Sequence, residues 1–140
     1  MKLSDTGIKL LVQREGSRRR AYPDVRGIPT IGVGHTGPEV HLGLEWTQEQ
    51  VDNAFRNDVQ WAEDTVNETI HRPMTQNQFD AMVSLTYNIG KHGFENSTVA
   101  RRFNAGDTHG AAEAFKLWNK PAVLASRRAS EIQQFLKRGN

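Results

Sequence analysis

The stretch from Glu15 to His35, E-G-S-R-R-R-A-Y-P-D-V-R-G-I-P-T-I-G-V-G-H, is the part of this chain that cannot be helical. Pro23 and Pro29 each remove a backbone donor and fix φ, while Gly16, Gly27, Gly32 and Gly34 lower helix propensity at close intervals. Ile28, Thr30, Ile31 and Val33 favour extended backbone, so a small hairpin or sheet is predicted here. His35 to Trp46 reads as a glycine-bearing loop, and the remaining long segments carry helical patterns. An α+β fold follows, mainly helical, with one small β-containing region near the N-terminus.

The helical patterns are bounded by recognisable signals. Ser4 is placed to cap a first helix whose buried stripe is Ile8, Leu11 and Val12, with Gly16 as its stop. Thr47 with Gln50 and Thr75 with Gln78 form two capping boxes. The first opens one long helix striped by Val51, Phe55, Val59, Ala62, Val66 and Ile70, with Pro73 just beyond its end. The second opens a helix through Phe79, Met82, Val83 and Tyr87 to Gly90. A short helix follows Asn96-Ser97, and Asp107 caps another that carries Ala111, Ala114, Phe115 and Trp118. The last helix follows Pro121 and contains Leu124, Ile132, Phe135 and Leu136.

These elements predict a single domain over 1–140 with two lobes. A β-containing lobe occupies roughly 15–46, a long linking helix roughly 47–70, and a helical lobe roughly 74–140 together with helix 5–15. A cleft between two such lobes is a natural seat for a substrate.

Composition narrows the function classes. With 140 residues, 36% hydrophobic and 24% charged, the chain can bury a core and is not disordered. No apolar run approaches the roughly 18 residues of a membrane span, and no leader peptide is visible at the N-terminus. The absence of cysteine excludes disulfide scaffolds and thiolate zinc sites, and the five histidines show no metal-binding spacing. No metal and no cofactor are expected. A net charge of +2 from 18 basic and 16 acidic residues, without a recognised motif, argues against a nucleic-acid partner. Arg18-Arg19-Arg20 is the densest basic run; it is read first as a solvated surface, and second as an attraction for an anionic polymer or surface.

The chemistry sits in the β-containing segment. Glu15 closes the first helix, near the negative end of the peptide dipole, where the protonated acid is favoured; Arg14 and Arg18 oppose that preference. Asp24 lies in a Pro-Asp turn, where solvent and backbone N–H groups keep a carboxylate ionised. If residues 15 to 24 were helical the two carboxyls would be about 13 Å apart along the axis, but Gly16 and Pro23 let the chain turn back. Two carboxyls in unlike surroundings suit glycoside hydrolysis: one protonates the leaving oxygen, the other handles water or the cationic sugar. The hydroxyl of Thr30 is a candidate for holding that water. Taken singly, Asp24 reads as a turn former and Thr30 as a strand residue; the combination carries the argument.

The pattern E-G-x5-Y-x-D-x2-G-x2-T-I-G-x-G-H resembles the catalytic signature of phage-type lysozymes, the endolysins of glycoside hydrolase family 24. Glu15, Asp24 and Thr30 match that family's catalytic set without a gap. The resemblance continues through Tyr87-Asn88-Ile89-Gly90, Gly93-Phe94-x2-Ser97-Thr98, Trp118-Asn119 and Arg127-Arg128-x2-Glu131. Val123-Leu124 departs from the Gly-Leu that many relatives carry ahead of the arginine pair. The resemblance implies a lysozyme-like fold and cleavage of the β-1,4 bond between N-acetylmuramic acid and N-acetylglucosamine in bacterial peptidoglycan. It further implies inversion at the anomeric carbon, and a phage or prophage lysis role from the host cytoplasm once the membrane is permeabilised. Thr36, Tyr87 and Ser97 match positions lining the family's sugar cleft.

Several assignments stay double. Tyr87 either contacts sugar or joins the core; His35 binds a carboxylate of the other lobe, packs structurally or contacts substrate. Arg127 and Arg128 pair with Glu131 or Glu15, or face the peptide stems. A lytic transglycosylase would share the substrate but needs no water-directing carboxylate. A non-catalytic wall-binding or surface-active protein would use the basic C-terminal helix, with Arg127, Arg128, Lys137 and Arg138, to disturb anionic membranes. The apolar stripe of that helix is more simply core packing; weak contact with anionic bacterial surfaces stays open as a further partnership. A monomer is expected.

Overall fold

Helix caps and breakers fall where the chain changes direction. The computed structural model describes residues 1–138, with elements α1 (Asp5–Glu15), β1 (Arg18–Pro23), β2 (Pro29–Gly32), α2 (Gln48–Asp58), α3 (Gln60–Thr69), α4 (Gln76–Ile89), α5 (Lys91–Glu95), α6 (Thr98–Asn104), α7 (Thr108–Ala114) and α8 (Leu124–Leu136). A short 3-10 turn, Phe115–Trp118, follows α7. The mainly helical α+β class is as expected. Among the described residues no helix is long and apolar enough to cross a membrane.

Two compact units divide the chain. The first, Ile8–Gln60, holds most of α1, the hairpin and α2. Strands β1 and β2 are antiparallel, with Arg18 opposite Gly32, Tyr22 opposite Thr30 and Pro23 opposite Pro29, and an irregularity between Arg18 and Tyr22. Ile8, Leu11, Ile31, Val33, Val40, Val51, Phe55 and Val59 form its buried hydrophobic set. The Thr47 capping box is present: its hydroxyl accepts from the Gln50 N–H at 3.1 Å, and the Gln50 side chain accepts from the Thr47 N–H at 2.8 Å.

The second unit comprises Met1–Gly7 and the chain from Trp61 onward. Its buried aromatic set includes Phe79, Phe94, Phe103, Phe115 and Phe135. The Phe135 ring meets Phe115 at 5.4 Å and Phe103 at 6.0 Å, the latter edge-on at 79°; tilted and edge-on arrangements favour the ring quadrupoles. Ser4 caps α1 as expected, its Oγ accepting from the Gly7 N–H at 2.9 Å and donating to Asp80 at 2.5 Å. Gly7 is required at that corner, because an added Cβ would lie 2.6 Å from the Asp80 carboxyl carbon.

Two features differ from the sequence expectation. The single helix over 47–70 is interrupted at Val59, which relaxes to φ −90°, ψ −6° between α2 and α3. Its apolar stripe is nevertheless intact, since Val51, Phe55, Val59, Ala62, Val66 and Ile70 are all buried. Periodicity reports which side chains are buried, not whether every backbone hydrogen bond is made. The five-residue α5 was not expected; a helix that short carries too little pattern to stand out.

Candidate active site

Glu15, Asp24 and Thr30 all belong to the unit Ile8–Gln60. Burial of Ile8 and Leu11 fixes the face of α1. The helix then stops at Gly16, whose φ of +77° is left-handed and whose N–H donates to the Val12 carbonyl at 2.8 Å. Glu15 is thereby the last helical residue, half-buried, and only Gly16 and Ser17 separate it from β1.

Asp24 follows β1 directly and opens the hairpin turn. Its N–H donates to the Ile28 carbonyl at 2.9 Å, and the Gly27 N–H donates back to the Asp24 carbonyl at 2.9 Å. Gly27 takes φ +81°, a conformation that side-chain-bearing residues disfavour. The Asp24 carboxylate turns into the same loop: Oδ1 accepts from the N–H of Arg26 at 2.8 Å and of Ile28 at 2.9 Å. Ile28's donation is the largest influence holding this carboxyl below its ordinary 3.8; desolvation, next in size, opposes it, and the N–H and charge of Arg26 with the N–H of Gly27 reinforce it. A carboxylate so held stays ionised.

Thr30 lies on β2, opposite Tyr22, and is only 4% exposed. Its hydroxyl donates to the Ile28 carbonyl at 2.9 Å. With that proton committed, the oxygen has acceptor capacity left to offer. The backbone of Ile28 thus serves both Asp24 and Thr30, a role that Asp24-x2-Gly27 turn chemistry hints at but sequence reasoning did not assign.

The basic triplet on β1 is engaged within the same unit. The Arg18 guanidinium carbon lies 4.5 Å from the Tyr22 ring centroid, Arg19 Nε donates to the Trp46 carbonyl at 3.0 Å, and Arg20 stands 3.7 Å from Glu45. These contacts favour the surface reading of the triplet over an anionic-polymer site.

His35 is held between two carboxylates, Nδ1 at 2.7 Å from Asp58 and Nε2 at 2.9 Å from Glu39, with the Trp46 ring 5.4 Å away. Partial burial works against a charged ring, but the hydrogen bonds to Asp58 and Glu39 outweigh it and raise its value above 6.5. The expected carboxylate of the other lobe is instead supplied from His35's own unit.

The three proposed sugar contacts have different surroundings. Thr36 is exposed in the loop after β2. Tyr87, at the end of α4, is half-buried, its ring stacked on Trp61. Ser97 is 3% exposed and caps α6: its hydroxyl donates to the Phe94 carbonyl at 2.7 Å and accepts from the Ala100 N–H at 3.0 Å. It lines a polar cavity of about 490 Å³ with Glu68, His71, Glu95 and Arg101. Among the described residues no group of three His, Asp or Glu side chains is placed to hold a metal ion.

Arg127 and Arg128 take the structural pairing. Arg128 is 1% exposed and donates to Glu131, to Asn88 and, at 2.9 Å, to the Trp118 carbonyl. Arg127 Nε donates to Glu131 at 3.1 Å, and Ser84 Oγ donates to the same carboxylate at 2.5 Å. Two of the four charges invoked for an anionic surface are therefore turned inward.

Fold and comparison together define the class. A crystal structure of a P22 lysozyme point mutant superposes with TM-score 0.94 at 45% identity, covering 98% of this chain and 99% of that one. The muramidase domain of SpmX from Asticaccaulis excentricus superposes with TM-score 0.87 at 39% identity, covering 97% and 98%. This is a lysozyme-type glycoside hydrolase. More narrowly, the chain belongs to the phage lysozyme family, whose model matches residues 12–131. The endolysin of Salmonella phage P22 is 44% identical to it over 97% of this chain and 99% of its own length.

Proposed function

We propose that this chain cleaves the β-1,4 bond between N-acetylmuramic acid and N-acetylglucosamine in bacterial peptidoglycan, with Glu15, Asp24 and Thr30 as its catalytic residues. Glu15 donates its proton to the glycosidic oxygen as the bond breaks. Asp24 supplies the fixed negative charge that stabilises the oxocarbenium-like transition state and takes up a proton from the attacking water. Thr30 accepts the water's other hydrogen bond, which leaves a lone pair of that water for the anomeric carbon. Water attacks directly, so the product configuration is inverted.

The observation that carries this reading is the state of Asp24. Two backbone N–H groups converge on one of its oxygens in the turn directly after β1, in a segment that begins at a helix-terminal acid. The relative named as an endolysin of Salmonella phage P22 supports a lytic role on the cell wall; within that reading the chain acts as a monomer that reaches the wall from the host cytoplasm after a membrane lesion.

Mass spectrometry of products from purified, membrane-free peptidoglycan tests the reaction. Hydrolysis leaves a reducing N-acetylmuramic acid end, and NMR of the first-formed anomer gives the stereochemistry. Products ending only in the 1,6-anhydro sugar, lighter by one water, would replace hydrolysis by transglycosylation.

A further inference from the structure

Trp61 is 41% exposed, while the apolar residues that anchor α3 in the core, Ala62 and Val66, are wholly buried. No other large hydrophobic side chain of α3 or α4 is exposed. Its indole stacks on Tyr87, with centroids 5.9 Å apart and planes inclined by 28°. Tyr87 in turn is the first half-exposed residue after an unbroken buried run, Phe79–Thr86 on α4. The chain thus carries two near-parallel rings at the margin of its helical core, one of them open to solvent.

We propose that Trp61 and Tyr87 form a ledge on which one pyranose ring of the glycan strand stacks, Trp61 being the contact surface. This rests on the peptidoglycan reading above and adds a binding residue to it. A pyranose offers an apolar C–H face and a hydroxyl-bearing rim. The polarised C–H groups suit the negative face of an indole. Exposed Asp64, one turn beyond Trp61 on α3, provides a polar group of the kind the rim requires. A protein partner would want several hundred Å² of apolar surface; two rings supply far less, but are matched to a single sugar.

The test compares wild type with three variants by kinetics, melting temperature and NMR. With purified peptidoglycan, Trp61→Leu keeps apolar bulk but loses the flat face, and its KM rises about three- to tenfold with kcat little changed. Trp61→Tyr restores KM to within about twofold of wild type. Independently, Glu15→Gln is titrated with an uncross-linked glycan tetrasaccharide while the indole N–H cross-peaks are followed by NMR. The Trp61 peak, identified as the one of three missing from a Trp61→Tyr spectrum, shifts saturably. An unmoved Trp61 peak, or a Trp61→Leu variant whose melting temperature falls while KM stays constant, reduces the pair to a brace and overturns the ledge. Should Trp61→Leu not fold, the titration of Glu15→Gln decides alone. Wild type that leaves peptidoglycan intact while the indole still responds to glycan would instead overturn the hydrolytic reading and leave the ledge standing.

Discussion

Asp24 and Ile28 are joined by a reciprocal backbone clasp: the Asp24 N–H donates to the Ile28 carbonyl at 2.9 Å, and the Ile28 N–H returns a hydrogen bond of 2.9 Å to the Asp24 carboxylate. That return bond lowers the carboxyl below its ordinary 3.8. The sign follows: a lowered acid contributes stability that is present above its unfolded value and lost as pH falls through the folded one. Asp24 therefore remains charged under acid conditions that neutralise an ordinary aspartate. Carboxyl-carbon NMR titration should give Asp24 a midpoint below the usual aspartate range. A midpoint at or above that range would contradict the clasp's electrostatic role.

Thr30 donates to Ile28 and has acceptor capacity left for water. Thr30→Ser keeps both capacities and should retain most of kcat. Thr30→Val keeps the shape and strand propensity but has no oxygen. It should lose roughly 1 kcal/mol of stability from the missing hydrogen bond, together with tenfold or more in kcat on the order expected for a group acting at the transition state. Equal kcat for the serine and valine variants would remove Thr30 from the chemistry.

The His35 clamp gives stability a pH dependence. Its folded value lies above 6.5, so the contribution is complete below an unfolded value of about 6.5 and fades as pH rises through the raised one. Glu39, lowered mainly by its hydrogen bond to His35, acts at the other end, adding stability above its ordinary 4.5 that is lost on acidification. Thermal melts of wild type and His35→Gln should therefore show a wider gap at about pH 5.5 than at about pH 9. A gap independent of pH would mean that packing against Trp46, not charge, is what His35 provides.

Glu131 is 0% exposed and holds Arg127, Arg128 and Ser84 at once. Glu131→Ala leaves the buried Arg128 without this carboxylate, and breaking such a pair costs about 3–5 kcal/mol. Denaturant unfolding should show that loss. A cost under about 1 kcal/mol would mean that water or Asn88 replaces the carboxylate.

Much of this was legible from residue types. Both capping boxes, the Ser4 cap, the Gly16 stop and the hairpin depend on local chemistry, and each appears where that chemistry placed it. The pairing of Arg127 and Arg128 with Glu131 was readable as i,i+4 and i,i+3 spacing, but the complete burial of Arg128 was not, because it depends on Trp118 and Asn88, distant in sequence. The break at Val59 was hidden by an apolar stripe that runs through it unaltered. At the site, residue types suggested an ionised Asp24. They did not reveal that Ile28's backbone orders both Asp24 and Thr30, since main-chain groups carry no side-chain signature. The Trp61–Tyr87 stack joins two helices and has no local pattern.

The central claim, two carboxyls with separate tasks, is tested most directly by kcat on purified peptidoglycan for Glu15→Gln and Asp24→Asn, each verified as folded. Both changes preserve shape and remove only proton donation or charge. The account predicts that each lowers kcat by about 10²-fold or more, while binding of a glycan tetrasaccharide is retained. Wild-type turnover by either variant would contradict it.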